Sequence, residues 1–123
     1  MNRIYLAITV LLLIPALSFA YLFYTESKCN ELADIIENAV ENPDYSEKKE
    51  LFERAKEEWG KIETVLALSV NHLLIDHINE SFTKAEAWQR LGEDNMFIAE
   101  LKWLGKLVNH VSETEKPTVY NIF

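Results

Sequence analysis

A chain of 123 residues with 20 Asp and Glu against 12 Lys and Arg, a formal charge of −8, lacks the clustered basic surface that nucleic acid or an anionic lipid face requires. Its single cysteine, Cys29, excludes an intrachain disulfide. Its 3 glycines leave little for a phosphate-cradling loop.

The first stretch, Ile4 to Tyr24, carries no charged residue. A helix of about 21 residues rises roughly 31 Å, the thickness of a bilayer's hydrocarbon core. A lone span in lipid must be helical, because only a helix satisfies its own backbone there. Pro15 would cost a soluble helix about 3 kcal/mol, but spanning helices tolerate proline better. Tyr5, Tyr21 and Tyr24 stand near the ends, where amphipathic rings suit the headgroup region. We therefore expect residues 1–25 to be a transmembrane anchor that meets the membrane through Ile4 to Tyr24. A cleaved signal peptide competes with this reading, since Arg3 gives a basic start and Ser18-Phe19-Ala20 fits a small-x-small rule. The apolar run continues through Tyr21, Leu22, Phe23 and Tyr24, which favours the uncleaved anchor. Polar Thr25-Glu26-Ser27-Lys28 before Cys29 is no lipobox, which argues against a lipoprotein. Arg3 lies before the span and acidic Glu26, Glu31 and Asp34 follow it. By the positive-inside rule the N-terminus is cytoplasmic and the body extracytoplasmic, in a single-pass protein of the cell membrane.

Residues 26–123 form the body, an acidic domain of about a hundred residues with room for one modest core. Leu32, Ile35, Ile36, Ala39 and Val40 recur at helical spacing among acidic residues. No Gly or Pro separates them from the span, so one long helix is expected to leave the membrane and enter the body. Asn42-Pro43-Asp44 ends it, because a residue before proline is pushed out of the helical region. Asp44 with Glu47 reads as a capping pair for a second helix. Its seam is Phe52, Ala55, Trp59, Ile62, Leu66, Ser69 and Leu73, widened by Leu51, Val65 and Val70. Gly60 inside this helix costs roughly 1 kcal/mol against alanine. A neighbour's close approach explains it, or it is a tolerated defect.

The apolar phase then slips to Ile75, Ile78, Phe82, Ala85 and Trp88, which predicts a break or kink between about Val70 and Asp76, with Asn71 as a fitting N-cap. A single helix from Asp44 to Leu91 is the alternative, since no Gly or Pro marks the break. Gly92 reads as a helix-ending glycine. Asp94 should cap the last helix, whose seam is Phe97, Leu101, Leu104, Val108 and Val111, flanked by Trp103 and Leu107. After Lys116-Pro117 the tail presents Val119, Ile122 and Phe123, which we expect to fold back on the bundle. No strand pattern or internal repeat occurs. The fold class is all-α: an N-terminal transmembrane helix continuing into a small antiparallel bundle of three or four helices.

Trp59, Leu66-Ala67-Leu68, Leu74-Ile75-Asp76-His77-Ile78, the spacing Leu101, Leu104, Leu107, His110-Val111, and the ending Thr118-Val119-Tyr120-Asn121-Ile122-Phe123 resemble the bacterial family known as domain of unknown function 4363. The similarity covers the whole chain, with the Ile-Asp-His stretch and the Asn-Ile-Phe ending its most specific parts. Gly60 and Gly105 depart from the pattern. The resemblance implies a bacterial, Gram-positive origin and an anchored layout, with one hydrophobic segment followed by an acidic helical domain. It brings no catalytic residues and no activity.

The residues themselves carry no known catalytic fingerprint: no G-x-S-x-G, no P-loop, no H-E-x-x-H and no dinucleotide turn. We expect no enzyme and no cofactor. The one polar concentration is His72, Asp76, His77 and Glu80. His72, Asp76 and Glu80 are four apart and share a face of a helix, and His110 on the last helix could join them. Such a set suits zinc. The plainer reading gives these groups to capping at the kink, with His77 bridging to a neighbouring carboxylate, and no metal is expected. Trp59, Trp88 and Trp103 could line a ligand groove, but their positions read as core. Asn79-Glu80-Ser81 matches the glycosylation sequon, a triplet common by chance. Cys29, just past the span, could form an intermolecular disulfide, although an unpaired thiol without a role is the simpler reading. The expectation for function is an extracytoplasmic interaction or accessory protein, with a membrane protein or another copy of itself as partner. A metal- or small-ligand-binding sensor built on the His72, Asp76 and His77 region is the alternative.

Overall fold

The structure, a computed structural model, describes residues 2–67 and 72–115, the last four of these as backbone alone. It consists of α1 (Asn2–Glu41), α2 (Tyr45–Leu66), α3 (His72–Arg90) and α4 (Asp94–Glu115). There is no strand among the described residues. α1 packs against α2 and α4, and α3 packs against α4. Successive helices run antiparallel. Tyr21 meets Val65 while Val40 meets Lys48, and Trp59 meets Asn79 while Lys56 meets Glu86. The backbones of α2 and α3 approach closely at few points. Rings fill the space between them: Phe52 and Phe82 have centroids 6.0 Å apart, and Trp59 stacks on Phe82 at 6.3 Å.

The long helix expected from the unbroken pattern is present. α1 runs for 40 residues through Pro15, about 60 Å at 1.5 Å per residue. Its body half buries Thr25, Cys29, Leu32, Ile36 and Ala39 at alternating spacings of four and three. The turn after it is built differently from the expected capping pair. Asp44 is the N-cap of α2 and its carboxylate accepts the amide of Ser46 at 2.9 Å. Glu47 does not reach back to the Asp44 amide, because the Asn42 side-chain oxygen Oδ1 already accepts that N–H at 2.9 Å. Glu47 instead accepts from the Asn42 side-chain amide at 2.9 Å.

The last turn of α1 holds no basic residue, which leaves its exposed carbonyls and dipole end without a cation of their own. Lys48 of α2 fills the role. The residue is 6% exposed and Nζ donates to the Val40 carbonyl at 2.9 Å. Lys48→Met keeps the buried stem and removes the donor. It should lower stability by about 1–2 kcal/mol in denaturant unfolding, with Lys48→Arg losing less.

The seams point inward as read, up to Leu66. Phe52, Ala55, Trp59, Ile62 and Leu66 are buried, as are Phe97, Leu101, Leu104, Val108 and Val111. Leu73 departs from its expected place in the α2 seam and is 61% exposed. α2 has ended at Leu66 and α3 starts afresh at His72, so Leu73 takes the phase of α3 and faces outward. The separate-helix reading holds and the single helix to Leu91 does not. Ser69, Val70 and Asn71, and the tail residues Val119, Ile122 and Phe123, lie outside the described residues.

α3 ends as a Schellman turn. The Glu93 amide donates to the Trp88 carbonyl at 3.0 Å and the Gly92 amide to Gln89 at 3.1 Å. Gly92 has φ +72°, the left-handed conformation that glycine adopts without a Cβ clash. Glu93, not Asp94, is the N-cap of α4, since its carbonyl accepts the first helical bond from Phe97 at 2.9 Å. Asp94 sits one residue inside, where its charge still favours the N-terminal dipole. Trp103 is 51% exposed, because it projects from the flank of α4 beyond the ring of residues that α1 and α3 cover. Its reading as core is corrected.

Nothing lies within 4 Å of a Cβ added at Gly60. No neighbour needs the glycine, so the tolerated defect is the right account. Gly60→Ala should raise stability by about 0.5–1 kcal/mol, read as a higher midpoint in thermal unfolding.

Candidate functional site

The polar residues singled out from sequence do not assemble. His72, Asp76, His77, Glu80 and His110 are all exposed. Glu80 pairs with Lys84 at 3.0 Å, one turn on, and that hydrogen-bonded carboxylate pushes the Lys84 ammonium above its ordinary pKa. His77 makes no ion pair with a described residue. Among the described residues no three His, Cys, Asp or Glu side chains converge so as to hold a metal ion. Helical spacing put His72, Asp76 and Glu80 on one face as expected, but it is the face turned to water.

Asn79, the sequon residue, has a structural task. Its side-chain carbonyl accepts from Trp59 Nε1 at 2.7 Å, and its amide donates to Glu63 at 2.8 Å. Ser81 is buried. Asn79 is therefore engaged across the α2–α3 interface, and its side-chain amide is not presented as a glycan acceptor. The bridge holds together the two helices whose backbones stand apart. Cys29 is fully buried in the core, which closes the route to an intermolecular disulfide. At the far end of the bundle the Tyr45 phenol sits above its ordinary pKa, through partial burial and then through the Asp94 carboxylate.

Two surfaces remain unexplained by packing. The first is the N-terminal half of α1. Every residue from Asn2 to Ala20 is exposed, with Leu11 at 70% and Leu12 at 69%. Mean hydropathy reaches 2.4 over this part, which is long and apolar enough to cross a membrane. The bundle begins where the first side chains are covered. Tyr21 donates its hydroxyl to the Val65 carbonyl at 3.1 Å, and Thr25 is the first buried residue. Thr9 and Ser18, the polar residues inside the run, turn their hydroxyls back to Tyr5 and Ile14 carbonyls at 2.7 and 2.9 Å. That satisfies both groups without water.

The second surface is a groove of about 430 Å³ between α1 and α4. Ala33, Ile36, Val40, Leu101 and Gly105 form its floor. Its depth traces to Gly105, where an added Cβ would stand 3.5 Å from Ile36. Asp34, Glu37 and Glu41 line the α1 side; Lys102, Lys106 and Asn109 line the α4 side. Sequence reading placed the acidic residues of this rim between the apolar positions of the first helix and gave Lys102, Lys106 and Asn109 no role. The available signal was the break in sign, with α1 acidic and α4 basic along facing flanks.

A family model described as Domain of unknown function (DUF4363) matches residues 16–122, from inside the apolar run through the bundle. The chain belongs to that family. No curated protein and no solved structure matches it.

Proposed function

We propose, from family membership and this layout, that the chain is a membrane-anchored interaction protein. Its N-terminus faces the cytoplasm and its helical body stands outside, serving a larger assembly as an accessory or scaffold subunit. The observation that carries the reading is the bare apolar half of α1. A contiguous apolar surface of that size is unstable in water and is at home in lipid. α1 passes from that half into the bundle without a break, so a force or displacement at the body is transmitted to the span through one helix. The body offers a charged, grooved surface suited to a protein partner, and the exposed, dispersed histidines give the sensor alternative no support.

The test is topology in intact cells. A protease added outside should digest the body, and the protected fragment should begin at or near Met1 and stay in the membrane pellet after a high-salt wash. A mature N-terminus at Tyr21 with soluble body would replace the anchor by a signal peptide. A body protected from outside protease would reverse the orientation.

A further inference from the structure

We propose that the α1–α4 groove docks on the same groove of a second copy of this chain, in a parallel two-fold dimer whose axis runs along the membrane normal. The proposal rests on the anchored reading above and names the partner. It starts from charge. The α1 rim carries Asp34, Glu37 and Glu41, and the α4 rim carries Lys102 and Lys106. None of these five charges forms an ion pair with a described residue of its own chain. The groove is thus acidic on one side, basic on the other and apolar between.

Symmetry decides what such a surface can meet. A two-fold axis parallel to the helices sets α1 of one copy against α4 of the other and keeps every residue at its own height. A two-fold axis across the helices sets α1 against α1 and opposes acid to acid. Only the first is electrostatically self-complementary. The register fits as well. Gly105 is level with Ile36, and α4 runs opposite to α1. At about 1.5 Å per residue, Lys102 stands level with the interval between Glu37 and Glu41, and Lys106 with the interval between Asp34 and Glu37. Each lysine of one copy therefore meets a pair of carboxylates on the other. The favoured arrangement is also the one that two copies anchored in one membrane can adopt, since both anchors then enter the bilayer from the same side. Small residues at Ala33 and Gly105 let the surfaces approach, and confinement in the membrane raises the effective concentration.

The experiment uses the full-length chain, co-expressed with two different tags and recovered from membranes in mild detergent. Variant one is Asp34→Lys, Glu37→Lys, Glu41→Lys. Variant two is Lys102→Glu, Lys106→Glu. Native copies should co-purify, and raised salt should weaken them. Each variant should lose about tenfold in self-capture, because both of its equivalent contacts become like-charged. The two variants together should recover native capture, because both contacts are again opposite in sign, and that recovery also shows that each variant is folded. Native copies that never co-purify, though retained in membranes, overturn the dimer and leave the anchor standing. Self-capture unchanged by either reversal overturns it by placing the contact elsewhere, as in the span. Loss without mutual recovery, or a different protein held on the groove, overturns it too. A chain found soluble removes the anchored reading and the proposal together.

Discussion

Phe52→Ala is expected to cost about 3–5 kcal/mol, close to the upper end for a buried aromatic. Phe52 is wholly buried. Its ring meets Phe97 of α4 edge to face, with centroids 5.2 Å apart and planes at 72°, and Phe82 of α3 at 6.0 Å. Such ring pairs add about 0.5–1.5 kcal/mol each to the burial itself. The position matters more than the ring. The backbones of α2 and α3 do not close on each other, so little can move in to fill the space that the ring leaves. A domain of this size is stable by about 5–15 kcal/mol, and a loss of that order should lower its melting temperature by roughly 15–30 °C. Urea unfolding followed by circular dichroism gives the number. Leu104→Ala, where α1 and α3 flank the site, should fall between about 2 and 5 kcal/mol. A loss below about 1 kcal/mol at Phe52 would mean that the ring does not join three helices.

The helices were legible because each carries a strong local signal. The uninterrupted pattern from Ile4 to Val40 gave α1 its length, Pro43 and Asp44 gave the first turn, and Gly92 gave the second. The seams from Phe52 to Leu66 and from Phe97 to Val111 gave the buried faces. What periodicity does not carry is the identity of the neighbour. Lys48 belongs to no apolar seam, and only the arrival of α1's last turn beside it makes it a cap. Asn79 looked like a sequon, and only Trp59 and Glu63 on the facing helix make it a bridge. Leu73 falls outside its expected seam because a heptad can be counted across a break that no Gly or Pro announces. Trp103 failed for a related reason: a flank position is covered or bare according to how far the adjacent helix leans over it. His72, Asp76 and Glu80 share a helix face as read, but helical spacing does not say whether that face turns inward. The groove depends on Gly105 meeting Ile36, a contact between residues far apart in the chain.

Removing residues 2–20 should change where the protein is found and leave its fold alone. The membrane fraction should lose the truncated chain entirely, and the soluble fraction should hold it with the thermal midpoint of the parent body. Binding is lost because of the composition of the segment. Apolar side chains at a span's centre each favour insertion by about 0.3–0.6 kcal/mol, and the segment removed holds most of those in the chain's exposed run. The body is left with a negative surface that an anionic leaflet repels. The fold stays intact because no residue from Asn2 to Ala20 is buried against the bundle. Tyr21, the first residue kept, retains its hydrogen bond to Val65, and α1 from Thr25 onward keeps its buried stripe. A new N-terminus near Tyr21 frays at most the first turn, which the bundle covers little. Sedimentation of both forms with membranes, followed by circular dichroism of the soluble form, separates the two claims. Pelleting of the truncated chain would place the membrane contact on the body, and a lowered midpoint would show that the apolar half supports the bundle as well as anchoring it.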